Sequence, residues 1–536
     1  MMDTPLTIQM ILERARTFFP KKEIVTKLAN GVHRYTYKDF YHRVAKLITV
    51  LDQLGVKNSD RVATFAWNNY RHLELYFAIP CSGAVLHTLN IRLAPDQLAY
   101  IINHAEDQVI FFDAMFAPLM KQLKPHLKSV KQFVVMDGGA IEDDDFKALS
   151  YEELIEAAAE GSFPELKEDM AAGLCYTSGT TGNPKGVLYS HRSLFLHSMA
   201  MTMKDNTGLC EEDRILPIVP MFHANAWGMP YTSAMIGATL VLPNQFMQPI
   251  DILKLLIEEK VTVTAGVPTI WIGVIQLLEK EQFDLSNLRV VLIGGSAVPA
   301  SIIDYFDRKY SIAVLQAWGM TETSPLGSIG RLKSYMQSLS KQEQLAIKTK
   351  QGIAVPCIEI RAIGDNGQVI EWDGKSLGEL QVRGPWVASG YFNTDERAEA
   401  FRDGWFSTGD IVTIDAEGYI SIADRAKDLI KSGGEWISSV DLELALLGHP
   451  KIREASVIAV AHEKWVERPL ACIVLKDQFK GQVSSEEIID FLRDRFASWW
   501  LPDAVVFIDE IPKTSVGKFD KKQLRNQYKE FKLPEK

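Results

Sequence analysis

Residues 61–113 read RVATFAWNNYRHLELYFAIPCSGAVLHTLNIRLAPDQLAYIINHAEDQVIFFD, and two hydrophobic periods alternate along them. Residues 61–67, 85–90 and 108–113 are short apolar runs, as buried strands require. Residues 70–84 and 95–105 repeat apolar positions at helical spacing. Pro95 opens the second of these, with Asp96 in its first turn, where a carboxylate favours the helix dipole. The alternation returns further on: residues 261–265 are rich in β-branched residues, 268–283 are helical behind Pro268, and 290–293 form a strand ended by Gly294 and Gly295. Strand–helix alternation predicts parallel sheets covered by helices, with ligand crevices at the strand ends.

After about residue 350 the pattern changes. Residues 358–370 alternate apolar and polar around Asp365-Asn366-Gly367, and residues 411–422 do so around Asp415-Ala416-Glu417-Gly418. Both are hairpin signals. The expected fold is therefore α/β: a large N-terminal domain over 1–424, made of helix-covered sheets with a small antiparallel, barrel-like part at about 350–424. A charged segment at 425–431 before Gly433-Gly434 reads as a hinge, and 432–536 as a small mobile α+β domain. Ser484-Ser485-Glu486-Glu487 predicts a capping box there.

The chain has 536 residues, 47% hydrophobic and 24% charged, which excludes a fibrous or disordered protein. Its net charge of −10 and the lack of a basic block argue against nucleic-acid binding. No uncharged apolar run is long enough for a transmembrane helix, and the first residues lack the pattern of a secretory signal. Five scattered cysteines, Cys81, Cys175, Cys210, Cys357 and Cys472, form no CxxC pair. A zinc site or a disulfide framework is not expected, and a reducing cytoplasm is.

The stretch 176–186, YTSGTTGNPKG, leaves backbone N–H groups and the hydroxyls of Thr177, Ser178, Thr180 and Thr181 open to an anion, with Gly179 for close approach and Lys185 for charge. It is not a Walker A loop. That motif needs Gly before the lysine and Ser or Thr after it, whereas Pro184 and Gly186 flank Lys185.

Five stretches together resemble the adenylate-forming superfamily of acyl-CoA synthetases, luciferases and adenylation domains. They are the loop above, WGMTET at 318–323, STGD at 407–410, DRAKDLIKSGG at 424–434 and PKTSVGK at 512–518, in the family's order. In detail they look like bacterial long-chain fatty acid–CoA ligases. The resemblance implies ATP and Mg2+ in a first step that makes an acyl-adenylate and pyrophosphate, then CoA in a second that makes the thioester. It implies that Lys518 and Lys185 are catalytic, because two anions must meet and cations offset their repulsion. Glu322 and Thr177 are the implied magnesium ligands. Gly294, Gln316 and Ala317 line the implied nucleotide and acyl sites with backbone, Trp318 and Thr321 line the nucleotide site, Asp410 and Arg425 hold the ribose, and Lys427, Lys431 and Trp436 lie near AMP and the hinge. Most relatives carry Tyr where Trp318 stands.

The stretch 219–227, VPMFHANAW, resembles the acyl wall, with His223 and Trp227 as candidate substrate contacts beside Gly319 and Gly433. Amino-acid-activating relatives carry Asp where His223 stands. Acetate-using relatives carry Trp where Gly319 stands, so a longer fatty acid is expected. The competing readings are a CoA ligase for a short or methylthio-substituted acid, a non-catalytic acyl or nucleotide binder, and an oxygenase like luciferase. A homodimer is the expected assembly.

Overall fold

The computed structural model describes residues 1–177, 183–394, 397–433, 435–515 and 517–534. Among them a nine-stranded sheet runs in the order Ile353–Ala354, Leu326–Ile329, Ala313–Gly319, Val290–Gly294, Val263–Gly266, Arg214–Pro217, Thr239–Leu242, Glu23–Leu28, Gly31–Thr36. Its middle is parallel and both edges are antiparallel. An eight-stranded sheet is centred on Arg61–Phe65, flanked by Val85–Thr88 and Val109–Phe112 in parallel.

These strands and the helices Tyr70–Cys81 and Pro95–Ala105 lie where the periodicity predicts. Asn69 caps the first helix by accepting from the His72 amide at 3.0 Å. The helix after Pro268 ends at Leu278, earlier than expected, just before the charged residues Glu279, Lys280 and Glu281.

One apolar core joins the two sheets. Ile24, Leu240 and Leu242 from the first and Val62, Leu86 and Phe111 from the second pack with Phe40, Leu47 and Phe77 of intervening helices. Phe77 is fully buried, and truncating such a side chain to Ala costs roughly 3–5 kcal/mol.

The third sheet is antiparallel, built from Glu359–Ile363, Gly378–Arg383, Phe401–Arg402, Trp405–Ile414 and Ile420–Arg425. The hairpin at 415–418 forms, with Ile414 opposite Ile420. The one at 365–367 turns but does not continue as a ladder. Only Ile363 bridges Val369, and Glu359–Ile363 pairs instead with Gly378–Arg383.

A fourth sheet of five strands starts at Ile430–Ser432, and the two long strands Ile452–His462 and Val466–Leu475 are its backbone. Arg425 thus ends one sheet and Ile430 begins the next, so the segment free of both is 426–429, inside the expected 425–431. Ser484 caps its helix, but the box is half made: Glu487 is drawn to Lys451 at 2.7 Å instead of reaching back.

Candidate active site

The strands Val263–Gly266, Val290–Gly294 and Ala313–Gly319 are parallel, with Gly266 beside Ile293 and Gly294 beside Ala317. Their C-terminal ends share one rim, where successive loops diverge and leave a crevice. A cavity of about 600 Å3 opens there, walled by both large sheets, by the third sheet and by the C-terminal residues.

Thr177 and Lys185 enter this cavity because a hairpin closes their loop. The strands Ala171–Tyr176 and Gly186–Ser190 pair, the Thr177 amide donates to the Lys185 carbonyl at 2.9 Å, and the Lys185 amide donates to Thr177 Oγ1 at 3.2 Å. Ser178, Gly179, Thr180 and Thr181 lie outside the described residues. Lys185 Nζ sits 5.0 Å from the centre of the Tyr391 ring, and the Tyr391 hydroxyl donates to Glu322 Oε1 at 2.9 Å. Burial pushes the Glu322 carboxyl up, with Tyr391 and Arg425 opposing that shift. A desolvated carboxylate beside an open cavity is a place where a cation gains much. Thr321 is held by its carbonyl, which accepts from the Tyr189 hydroxyl at 2.8 Å.

Asp410 and Arg425 face each other across neighbouring strands. Trp318 Nε1–H donates to Asp410 Oδ2 at 2.8 Å, and Arg425 Nε pairs with Oδ1 at 2.7 Å. A carboxylate so fixed still has a lone pair on each oxygen for two hydroxyls. Trp318 is therefore more than a ring on the cavity wall. It also packs into the third sheet's core with Leu380, Val382 and Phe406.

Lys518 arrives from the far end of the chain. Its loop is closed by the Thr514 amide donating to the Lys518 carbonyl at 2.7 Å, and Gly517 adopts φ +84. Three N-terminal residues dock it. Thr269 Oγ1 donates to the Gly517 carbonyl at 3.1 Å, Asn90 Nδ2 to Ser515 Oγ at 2.8 Å, and Arg92 to the Ser515 carbonyl at 3.0 Å. Lys518 lies so close to Gly295 that a Cβ there would be 3.0 Å from its Cε. Desolvation, then repulsion by Arg425, lowers the ammonium pKa to about 8 against the pull of Asp410 and Glu322.

The profile of the AMP-binding enzyme family matches residues 12–392, and that of the AMP-binding enzyme C-terminal domain matches 441–518. The chain belongs to the AMP-binding enzyme family. A long-chain-fatty-acid–CoA ligase of Thermus thermophilus is 48% identical over 99% of this chain and 97% of its own. A medium-chain-fatty-acid–CoA ligase of Ectopseudomonas oleovorans and a 3-methylmercaptopropionyl-CoA ligase of Ruegeria lacuscaerulensis are each 43% identical over 99% of this chain and 98% of theirs. The crystal structure of an anthranilate CoA ligase with anthranoyl-AMP superposes with a TM-score of 0.87 at 25% identity, covering 98% of both chains. The adenylate-forming resemblance and the mixed α/β architecture of a large domain followed by a smaller one are thereby shown.

In this AMP-binding enzyme, Lys427, Gly294, Ala317, His223 and Trp227 line the same cavity. Burial and the nearby Lys518 hold the His223 imidazole down at about 3, so it is neutral. Trp227 belongs to a left-handed run: Ala224, Asn225, Ala226, Trp227 and Gly228 all have φ between +42 and +74. Each non-glycine residue there costs roughly 1–2 kcal/mol. The run brings the indole over Gly294, where a Cβ would lie 3.2 Å from Trp227 Cη2.

Four expected contacts are not in the cavity. The Gln316 side chain is buried behind its strand, with Oε1 accepting from the Val298 amide at 3.3 Å. Lys431, Gly433 and Trp436 lie on the fourth sheet away from it. Lys431 and Trp436 pair across two strands with Nζ 4.8 Å from the ring, and Gly433 packs beneath Trp465.

Gly319 borders the cavity, but its missing side chain is not room left for a longer acid. A Cβ there would lie 1.8 Å from the Pro325 carbonyl oxygen, because the strand register shifts between Trp318 and Gly319. The backbone itself requires glycine, and an indole at 319 has no path into the cavity. Gly319→Ala should therefore destabilise the fold by at least about 1–3 kcal/mol. Urea unfolding with an unchanged midpoint would refute that close approach.

Sequence reasoning missed Tyr391, Thr269, Asn90 and Arg92. They act across long sequence separations and sit in no local pattern.

Proposed function

We propose that this protein is an ATP-dependent fatty acid–CoA ligase acting on medium or long chains. The observation that carries the reading is that Lys185, Glu322, Asp410, Arg425 and Lys518 surround one cavity that is also lined by the apolar Trp227, Leu292, Leu326, Met201 and Ile272. No carboxylate stands at position 223 to hold an amino-acid ammonium. The relatives active on long- and medium-chain acids support the same choice.

In this reading Asp410 accepts the ribose hydroxyls, Thr177 and the loop after it bind the triphosphate, and Lys185 steadies the outer phosphates. Lys518 bridges the incoming carboxylate and the α-phosphate, where negative charge gathers as pyrophosphate leaves. Glu322 and Thr177 would hold Mg2+. A buried carboxylate and one hydroxyl suit this ion, which keeps waters and takes phosphate oxygens for its remaining positions. Bound there, it neutralises charge on the phosphates. Glu322→Gln keeps the size and removes the charge. It should move the magnesium titration to at least about tenfold higher concentration, and an unmoved titration would make Glu322 structural.

Residues 432–536 form the mobile domain, 426–429 its pivot, and Lys431, Gly433 and Trp436 the face that turns toward the cavity for the CoA step. We place the enzyme in the cytoplasm as a homodimer. No helix among the described residues is long and apolar enough to cross a membrane, and sedimentation tests the dimer.

A second reading, a ligase for a short or methylthio-substituted acid, is favoured by Trp227 closing over Gly294 and by the 3-methylmercaptopropionyl-CoA ligase relative. Pyrophosphate release across acids from acetate to palmitate, with and without CoA, decides. A rise with chain length supports the first reading, a maximum at short acids the second, and no release from any acid refutes both.

A further inference from the structure

The cavity lining holds one buried polar side chain that no contact explains. His197, on the helix His191–Thr202, is fully buried, and neither Nδ1 nor Nε2 has a hydrogen-bond partner among the described residues. Buried polar groups are nearly always hydrogen-bonded, so two orphaned nitrogens on one ring point to a partner that comes from outside the protein. The ring is part of the cavity wall, with Met201 one turn further along the same helix face and with Trp227 and Leu326. It is clamped in place. The left-handed run ends at Gly228, where a Cβ would lie 2.5 Å from His197 Nδ1 and Cε1, and the Trp386 ring stands edge-on at 6.3 Å. Glycine at 228 thus makes space for an imidazole rather than for an alkyl tail.

Burial holds the ring's pKa down at about 3, so it is neutral at working pH and offers one N–H and one bare nitrogen. An all-carbon chain passing it leaves both unsatisfied. A chain with an oxygen or sulfur at the right atom satisfies at least one. Sites with a built hydrogen-bonding group discriminate far more sharply than apolar walls, which distinguish substrates only by size.

We propose that His197 is a specificity-determining residue that selects acids whose chain carries a hydrogen-bonding heteroatom, an ether, hydroxyl or carbonyl oxygen or a thioether sulfur, where the chain passes the imidazole. The inference rests on the acyl-CoA ligase reading above and narrows its substrate. Its sign is sharp. Moving an ether oxygen from water into an apolar pocket is unfavourable, so without a partner heptanoate outcompetes every oxygen-containing analogue of its length.

The test is an oxygen walk. Pyrophosphate release is measured with heptanoate and with each analogue in which one chain methylene is replaced by an ether oxygen. The native enzyme should prefer one analogue over heptanoate by about tenfold or more in kcat/KM. His197→Leu should reverse that preference, and His197→Gln, which keeps a donor and an acceptor, should retain part of it. A native series with no preferred position, or a preference unchanged in His197→Leu, overturns the proposal. Release from no acid at all is a failure of the ligase reading instead.

A second measurement needs no variant. In histidine-15N-labelled enzyme, the non-hydrolysable adenylate analogue of the preferred oxygen-containing acid should move the His197 ring nitrogens relative to the heptanoyl analogue. Coincident spectra overturn the proposal.

Discussion

Lys518→Ala should lower acyl-adenylate formation from acid and ATP by at least about a hundredfold, roughly 3 kcal/mol of barrier, while thioester formation from pre-made acyl-adenylate stays within a few-fold of native. Lys518 lies at the rim beside Gly295, with Asp410, Glu322 and Arg425 acting on it electrostatically. On the proposed role, the charge it meets develops only when carboxylate and α-phosphate join, so its loss falls on that step alone. Equal loss in both half-reactions would remove Lys518 from that role.

The pH dependence follows with a definite sign. The ammonium pKa is lowered to about 8, so the charged form is present below that pH and is lost as pH rises through it. The kcat/KM of adenylation, which reports the free enzyme, should be level below pH 8 and fall about tenfold per unit above it. Lys518→Arg keeps the charge throughout the range and should flatten the fall, whatever its effect on the maximum.

Lys427→Pro should leave adenylation largely intact and reduce thioester formation by at least about a hundredfold. The segment 426–429 belongs to neither flanking sheet. The Ala426 amide donates to the Gly409 carbonyl at 2.9 Å, and the Asp428 and Leu429 amides donate to the Arg425 carbonyl at 2.8 and 3.0 Å. Among the described residues the Lys427 amide makes no such bond, so proline removes no backbone hydrogen bond of the present orientation. It does fix φ near −65° and restricts Ala426 before it. A pivot must change its dihedrals, and a ring forbids that. Stopped-flow measurement of each half-reaction checks it. An unchanged ratio between the two would move the pivot elsewhere, with the contact between Asp424 and Ser439 the next place to look.

The architecture was legible wherever a local period carried it. Residues 61–113 follow the strand and helix pattern closely because the buried strands separate two apolar cores, with Leu73 and Phe77 packed beside Val62, Leu86 and Phe111 in one and Leu98 and Ile102 beside Ala63, Phe65, Ile110 and Phe112 in the other. The hairpin at 415–418 was legible as well. Its twin at 365–367 was legible as a turn, with Ile363 bridging Val369, but not in its extent, because turn chemistry specifies a reversal and not which strand forms the long ladder, and that is Gly378–Arg383. Motif spacing brought Thr177, Lys185, Glu322, Asp410, Arg425 and Lys518 to one cavity. It says nothing of the Gln316 side chain, which strand alternation turns inward, and it misjudges Gly319, where the close Pro325 carbonyl sets the residue. Tyr391 and Asn90 were invisible because what matters in each is one contact across a fold that the sequence does not yet contain.

The nine-stranded sheet also sets a timetable for the ribosome. Its two last strands, Glu23–Leu28 and Gly31–Thr36, are made almost first, yet Ile24, Val25 and Thr26 lie beside Leu240, Val241 and Leu242. At roughly 5–20 residues per second the early hairpin waits about 10–40 s for its neighbour to emerge. Meanwhile the strands Arg61–Phe65, Val85–Thr88 and Val109–Phe112 can already assemble the other sheet. Through that interval the strand Glu23–Leu28 has one edge unpaired and Ile24 and Val25 uncovered, and an open strand edge is one on which other chains can pair. A protein whose nine-stranded sheet is complete only after residue 354 should therefore lose yield when translation is slowed and gain yield from holdase co-expression, and a permuted chain that begins after the Thr36 strand and appends residues 1–36 at its end should be less sensitive to both.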